Sequence, residues 1–195
     1  MKQTKSEQRP KGEKVVQSYE SHALTHHGRL RHDLLFMYYS KFMAGRNIAW
    51  VFDVGGGSGI LVKRLIKKFP RLNVVLIDDD AAMISKAREN LSEYINSNRV
   101  QLIRGSVNDL PHVLKSFTID GKRILVTFNH TIEYVDDQPE VIRLLANTIP
   151  KGSFLGIMYL NNSHEAFRKL FLKDSIIGLR EQLKTYQLDM VYFGI

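Results

Sequence analysis

The chain has 195 residues, 44% hydrophobic and 25% charged, which is the content of one ordinary globular domain. It has no cysteine, which excludes disulfides, zinc–thiolate sites, iron–sulfur clusters and cysteine nucleophiles. Its 28 Lys and Arg outweigh 20 Asp and Glu for a net charge of +8, a balance that favours anionic partners such as RNA, DNA or phosphorylated metabolites.

No apolar run approaches the roughly 18 residues of a membrane span, and no signal-peptide stretch opens the chain. A cytoplasmic, soluble protein is the expectation. Residues 1–14 carry five cations, two anions and almost no apolar surface, which reads as a flexible basic tail before one domain over 15–195. From Val15 the pattern is helical. Leu30, Leu34, Met37, Tyr38 and Phe42 recur at spacings of three and four and mark a helix ending near Gly45.

Ile48 to Phe52 reads as a buried parallel strand leading into Asp53-Val54-Gly55-Gly56-Gly57-Ser58-Gly59. A helix follows, with Leu61, Leu65, Ile66 and Phe69 inward, and Pro70 stops it. Val74–Ile77 is strand, and Asp80 caps a helix carrying Met83, Ile84, Ala87 and Leu91. Val100–Ile103 is strand, and a short helix lies near His112 to Phe117. Strand Arg123–Phe128, helix Asp136–Thr148 and strand Phe154–Leu160 come next, then a helix over His164–Thr185 and a strand over Leu188–Phe193. Strict alternation of this kind gives a doubly wound α/β domain: a mostly parallel sheet, helices on both faces, and here an N-terminal helical extension.

A glycine-rich turn after the first strand is the nucleotide position of doubly wound folds. The dinucleotide fingerprint fails at Ile60, and no Gly-Lys-Ser or Gly-Lys-Thr completes a phosphate-binding loop. Asp53, Gly55, Gly57 and Gly59 do spell Asp-x-Gly-x-Gly-x-Gly, with Gly56 between. At these residues the chain resembles class I S-adenosylmethionine-dependent methyltransferases. The resemblance implies a loop whose backbone passes the amino-acid end of the cofactor, where a Cβ would collide with it.

Asp78 ends the second strand 23 positions after Gly55, near the separation expected of a carboxylate that accepts from both ribose hydroxyls. Asp79 stands beside it, and Ile77 to Met83 resembles the family's segment here, which puts Met83 near the adenine. Three successive aspartates also suit a solvated turn and helix cap. In Arg104 to Pro111 the family usually carries Asp at the position of Ser106; the hydroxyl can still accept, and the Val107 backbone can contribute.

The fourth strand runs out into Asn129, His130 and Glu133. Asn129 is expected at the methyl-donor face, and His130 or Glu133 as base or orienter; bracing of the next helix is the alternative for Glu133. A carboxylate acceptor needs no general base.

Thr25-His26-His27-Gly28-Arg29-Leu30-Arg31 is similar to the Thr-x-x-Gly-x-Leu-Arg segment of the SmtA/CmoM-like tRNA wobble-uridine 5-oxyacetate methyltransferases. The likeness continues in Gly55–Gly57, in Ile132-Glu133-Tyr134-Val135 and in Tyr159-Leu160-Asn161. It implies that Arg31 pairs with the cofactor carboxylate and that the acceptor is a carboxylate on tRNA. The family's substrate-recognition segment is not found after Leu172, and the chain stops around the sixth strand, short of the family's usual terminal hairpin. His22, His26, His27 and His32 lack a carboxylate framework for a metal and read as loop or helix-surface residues. Two other functions fit the same features: methylation of a small acidic metabolite, and RNA binding without catalysis.

Overall fold

The computed structural model describes residues 9–117, 119 and 123–158. Two helices, α1 (Glu13–Leu24) and α2 (His26–Met43), precede strand β1 (Ile48–Val54). The alternation continues through α3 (Ile60–Lys68), β2 (Asn73–Asp78), α4 (Ala81–Asn90), the short α5 (Ser92–Asn96) and β3 (Val100–Arg104). A 3₁₀ turn (Val107–Asp109), α6 (Leu110–Lys115), β4 (Arg123–Asn129), a second 3₁₀ turn (Ile132–Tyr134), α7 (Gln138–Thr148) and β5 (Phe154–Met158) follow.

The five strands form one parallel sheet in the order β3-β2-β1-β4-β5. Because side chains alternate along a strand, the sheet divides the core in two. Val51, Val74, Leu76 and Leu125 face α2, α3 and Leu91, while Phe52, Val75, Ile77, Val126 and Phe128 face α6 and α7. The strand order reverses beside β1. The crevice at the carboxyl ends of β1, β2 and β4 is therefore the expected ligand position of such a sheet.

Two expectations change at the N-terminus. The apolar stripe Leu30, Leu34, Met37 and Tyr38 is 44% to 59% exposed, and α2 instead buries Gly28, His32, Leu35, Tyr39 and Met43. Helical spacing alone allows either face. Gly28 decides it, because α1 packs so closely there that a Cβ would sit 2.0 Å from the His22 carbonyl oxygen. His32 is accordingly a core residue, 6% exposed, and not a surface histidine; His22, His26 and His27 are exposed.

The second change is at the basic tail. From Arg9 onward it is docked: Lys11 Nζ lies 2.7 Å from Asp79 Oδ2, Arg9 pairs with Asp79, and the Gly12 N–H donates to Asp80 Oδ2 at 2.8 Å. Asp80 Oδ1 meanwhile accepts from Ala82 N–H as the cap of α4. Asp79 thus pairs with two of the tail's cations, Arg9 and Lys11, which composition read residue by residue does not reveal. The helix over 164–185, the strand over 188–193 and the question of a terminal strand lie outside the described residues. Among the described residues no helix is long and apolar enough to cross a membrane.

Candidate active site

The loop between β1 and α3 is hung on β2. The N–H groups of Gly55 and Gly56 donate to the Ile77 carbonyl oxygen, and that of Gly57 to Asp78 Oδ2 at 2.9 Å. Gly55, Gly57 and Gly59 all have left-handed backbone, φ +71, +55 and +80. At Gly55 a Cβ would also stand 2.2 Å from Thr131 Oγ1. The glycines are therefore required by the protein's own turn and packing, a reason separate from close approach of a ligand.

Asp78 is 1% exposed, and its second oxygen accepts from Asp80 N–H at 3.0 Å. Burial raises its pKa, while these N–H donors favour the charge. Asp53 is buried too, 3% exposed, accepting from the Thr127 hydroxyl at 2.7 Å. Burial pushes its pKa up to about 6, nearby Asp78 adds to the shift, and Thr127 opposes it. Asp53 braces β1 against β4 beneath the loop and is not among the cavity walls. Met83 likewise packs under the loop, 3% exposed, with Sδ 3.9 Å from where a Gly57 Cβ would lie.

A cavity of about 290 Å³ opens at these strand ends. Its walls include Gly55, Asp78 and Asp79 on one side, Ser106 and Val107 on a second, and Phe128, Thr131 and Tyr134 on a third. Ser106 is committed locally: its N–H and hydroxyl both engage Asp109 Oδ2, and Oγ accepts from Asn108 N–H, closing a capping box.

Beyond the loop lies a second polar group of residues. Tyr39 O–H donates to Asn129 Oδ1 at 2.7 Å. Asn129 Nδ2 is buried and close enough to Asp53 to favour its charge, yet among the described residues it makes no hydrogen bond of normal geometry. The Arg31 guanidinium lies 5.8 Å over the Tyr19 ring, with Nε buried and unpaired in the described residues. His32 packs edge-on to Tyr19 with neither ring nitrogen hydrogen-bonded there, and burial followed by the Arg31 charge lowers its pKa to about 4. His130 Nδ1 and Glu133 Oε1 are 3.9 Å apart. Buried donors without partners among the described residues are groups that a bound polar molecule can satisfy.

The strand ends thus gather Gly55, Asp78, Asp79, Ser106 and Val107 around one cavity, whose walls do not include Arg31, Asp53, Met83 or Asn129. Sequence reasoning missed Arg9, Tyr19, Thr131 and Tyr134. Only Tyr134 carried a signal, through its place in the Ile132–Val135 segment.

A family model described as a methyltransferase domain matches residues 51–152. The chain is 25% identical over 142 residues to malonyl-[acyl-carrier protein] O-methyltransferase 1 of Ilyobacter polytropus, covering 73% of this chain and 45% of that protein. It is 25% identical over 126 residues to trans-aconitate 2-methyltransferase of Deinococcus radiodurans, covering 64% of this chain and 43% of that protein. It spans less than half the length of both. Among solved structures, the plantazolicin methyltransferase BamL, in complex with a triazolic desmethylPZN analog and SAH, has a TM-score of 0.59 at 16% identity, covering 88% of this chain and 59% of that one. That likeness is one of fold.

Proposed function

The chain belongs to the methyltransferase domain family, and from that premise we propose that it binds S-adenosylmethionine and transfers its methyl group to a carboxylate acceptor. The observation that carries this reading is the buried carboxylate of Asp78, tied to Gly57 and facing the cavity beside Ser106 and Val107. The residues fit the cofactor. Each Asp78 oxygen keeps a lone pair for a ribose hydroxyl after its backbone bond, Val107 and Phe128 give apolar walls for a base, and Arg31 is a cation for the amino-acid carboxylate.

When bound, S-adenosylmethionine supplies a sulfonium-activated methyl group with its own leaving group. The protein's part is to orient the two reactants and keep water out. Asn129, held by Tyr39, presents a fixed amide at the end of β4, where Gly55 and Thr131 meet. His130 and Glu133 flank that edge as orienting groups. An acceptor that is already an anion asks no proton of them.

The finer reading is a tRNA acceptor, the carboxylate on a wobble uridine. It is supported by the resemblance of Thr25 to Arg31 and of Ile132 to Val135, and by the net charge of +8. A small-acid acceptor is the second reading, favoured by relatives named for malonyl-[acyl-carrier protein] and trans-aconitate. Incubation with methyl-labelled S-adenosylmethionine and either bulk tRNA whose wobble uridine carries its carboxylate free of ester or a panel of small carboxylic acids separates the two. Label in base-labile ester on tRNA supports the first; label only on acids supports the second; label on neither overturns both.

A further inference from the structure

Arg9 belongs to the basic N-terminal segment, yet it stands at the cavity. It is a wall of the cavity, with its side chain 18% exposed. Its guanidinium nitrogen lies 3.6 Å from Asp79 on one wall, and its Cζ is 5.0 Å over the ring of Tyr134 on another. Asp79 follows the end of β2, and Tyr134 belongs to the 3₁₀ turn after β4. One side chain therefore reaches across the cavity mouth between strands that are separated in the sheet by β1.

The reach is held from behind. Two residues later Lys11 pairs with the same Asp79, and Gly12 N–H donates to Asp80. Gly12 has φ +96 and its carbonyl starts α1, so the chain turns sharply there and runs away from the cavity as helix. Segment 9–12 is thus fastened to the two aspartates after β2, and among its residues only Arg9 lines the cavity and reaches the far wall. The planar guanidinium suits both contacts at once, a carboxylate at its edge and an aromatic face beneath it, which an ammonium matches poorly. Its positive charge also acts on Asp78 behind it.

We propose that residues 9–12 form a clamp over the cofactor cavity, in which Arg9 bridges Asp79 and Tyr134 and retains the bound adenosine end. This rests on the cofactor reading above. A ligand leaving through this mouth must break the Arg9 bridge, so the clamp acts on dissociation. Entry occurs when the bridge is open, and the same segment then closes behind the ligand.

The experiment measures S-adenosylhomocysteine release from the full chain by stopped-flow competition, for the wild type, Arg9→Ala, Arg9→Lys, Tyr134→Leu and the Arg9→Ala/Tyr134→Leu pair. The clamp predicts release at least fivefold faster in Arg9→Ala, with association no slower than in the wild type, and only partial recovery in Arg9→Lys. Tyr134→Leu gives a similar acceleration, and the pair adds little, because both act through one bridge. Added salt speeds wild-type release more than that of Arg9→Ala. Equal release rates in wild type and Arg9→Ala overturn the clamp and leave the cofactor reading standing. No binding to folded wild type overturns both.

Discussion

Asp78 accepts a hydrogen bond from the Gly57 amide at 2.9 Å, so the acid at the end of β2 and the loop after β1 are one unit. The same carboxylate accepts from Asp80 N–H at 3.0 Å, where it shapes the turn that caps α4. A residue assigned to ligand binding is thereby also a structural fastening.

The two roles separate by substitution. Asp78→Asn keeps one acceptor oxygen, whereas Asp78→Ala strips two buried amides of their partner, at a cost of about 1–3 kcal/mol each. Both should weaken S-adenosylhomocysteine by at least tenfold, about 1.4 kcal/mol, and Asp78→Ala, which strips both amides, should lower the urea midpoint further than Asp78→Asn, which strips one. Unchanged affinity in a folded Asp78→Asn protein removes the ribose role.

The loop glycines should differ in stability. Gly55→Ala adds a Cβ 2.2 Å from Thr131 Oγ1 on left-handed backbone, while Gly57→Ala meets nothing nearer than Met83 Sδ at 3.9 Å. Gly57→Ala is then left with the left-handed penalty of about 1–2 kcal/mol, and Gly55→Ala should exceed it clearly. Equal losses in denaturant would contradict this account of the turn.

Asp53 sets one side of a pH profile. Its pKa in the fold, pushed by burial to about 6, stands above the unfolded value of 3.8. The folded state therefore binds the proton more tightly, and the stability this carries is present at pH 4 and is lost as pH rises through 6. Relative to Asp53→Asn, the wild type should lose on the order of 3 kcal/mol between pH 4 and 7. Parallel profiles for the two proteins would show that Asp53 titrates normally.

His32 sets the other side. Burial, then Arg31, Arg64, His130 and His22, lower its pKa from 6.5 to about 4. The neutral form is favoured in the fold, so its contribution is present above pH 6.5 and is lost as pH falls toward 4. His32→Gln should flatten the acid limb by on the order of 3 kcal/mol. An acid limb as steep as the wild type's would place the acid sensitivity elsewhere.

The strands were the most legible part of the chain, because apolar runs such as Ile48–Phe52 and Val74–Ile77, bounded by turn residues, have one reading in an alternating pattern. Asp78, Ser106 and Val107 were legible for the same reason, since strand ends fix where they must stand. The face of α2 was not. Leu30, Leu34, Met37 and Tyr38 make a helical stripe as regular as His32, Leu35, Tyr39 and Met43, and only the close approach of α1 at Gly28 selects the second. The docked tail was hidden too, because Lys11 meets Asp79 across 68 positions, and no local pattern records a pairing at that distance.

The most direct test of the central claim is calorimetric titration of the full chain with S-adenosylmethionine and S-adenosylhomocysteine. One site per chain with micromolar affinity for both is expected, weakened at least tenfold by Asp78→Ala. No heat of binding from a folded sample, or binding indifferent to Asp78, would contradict it.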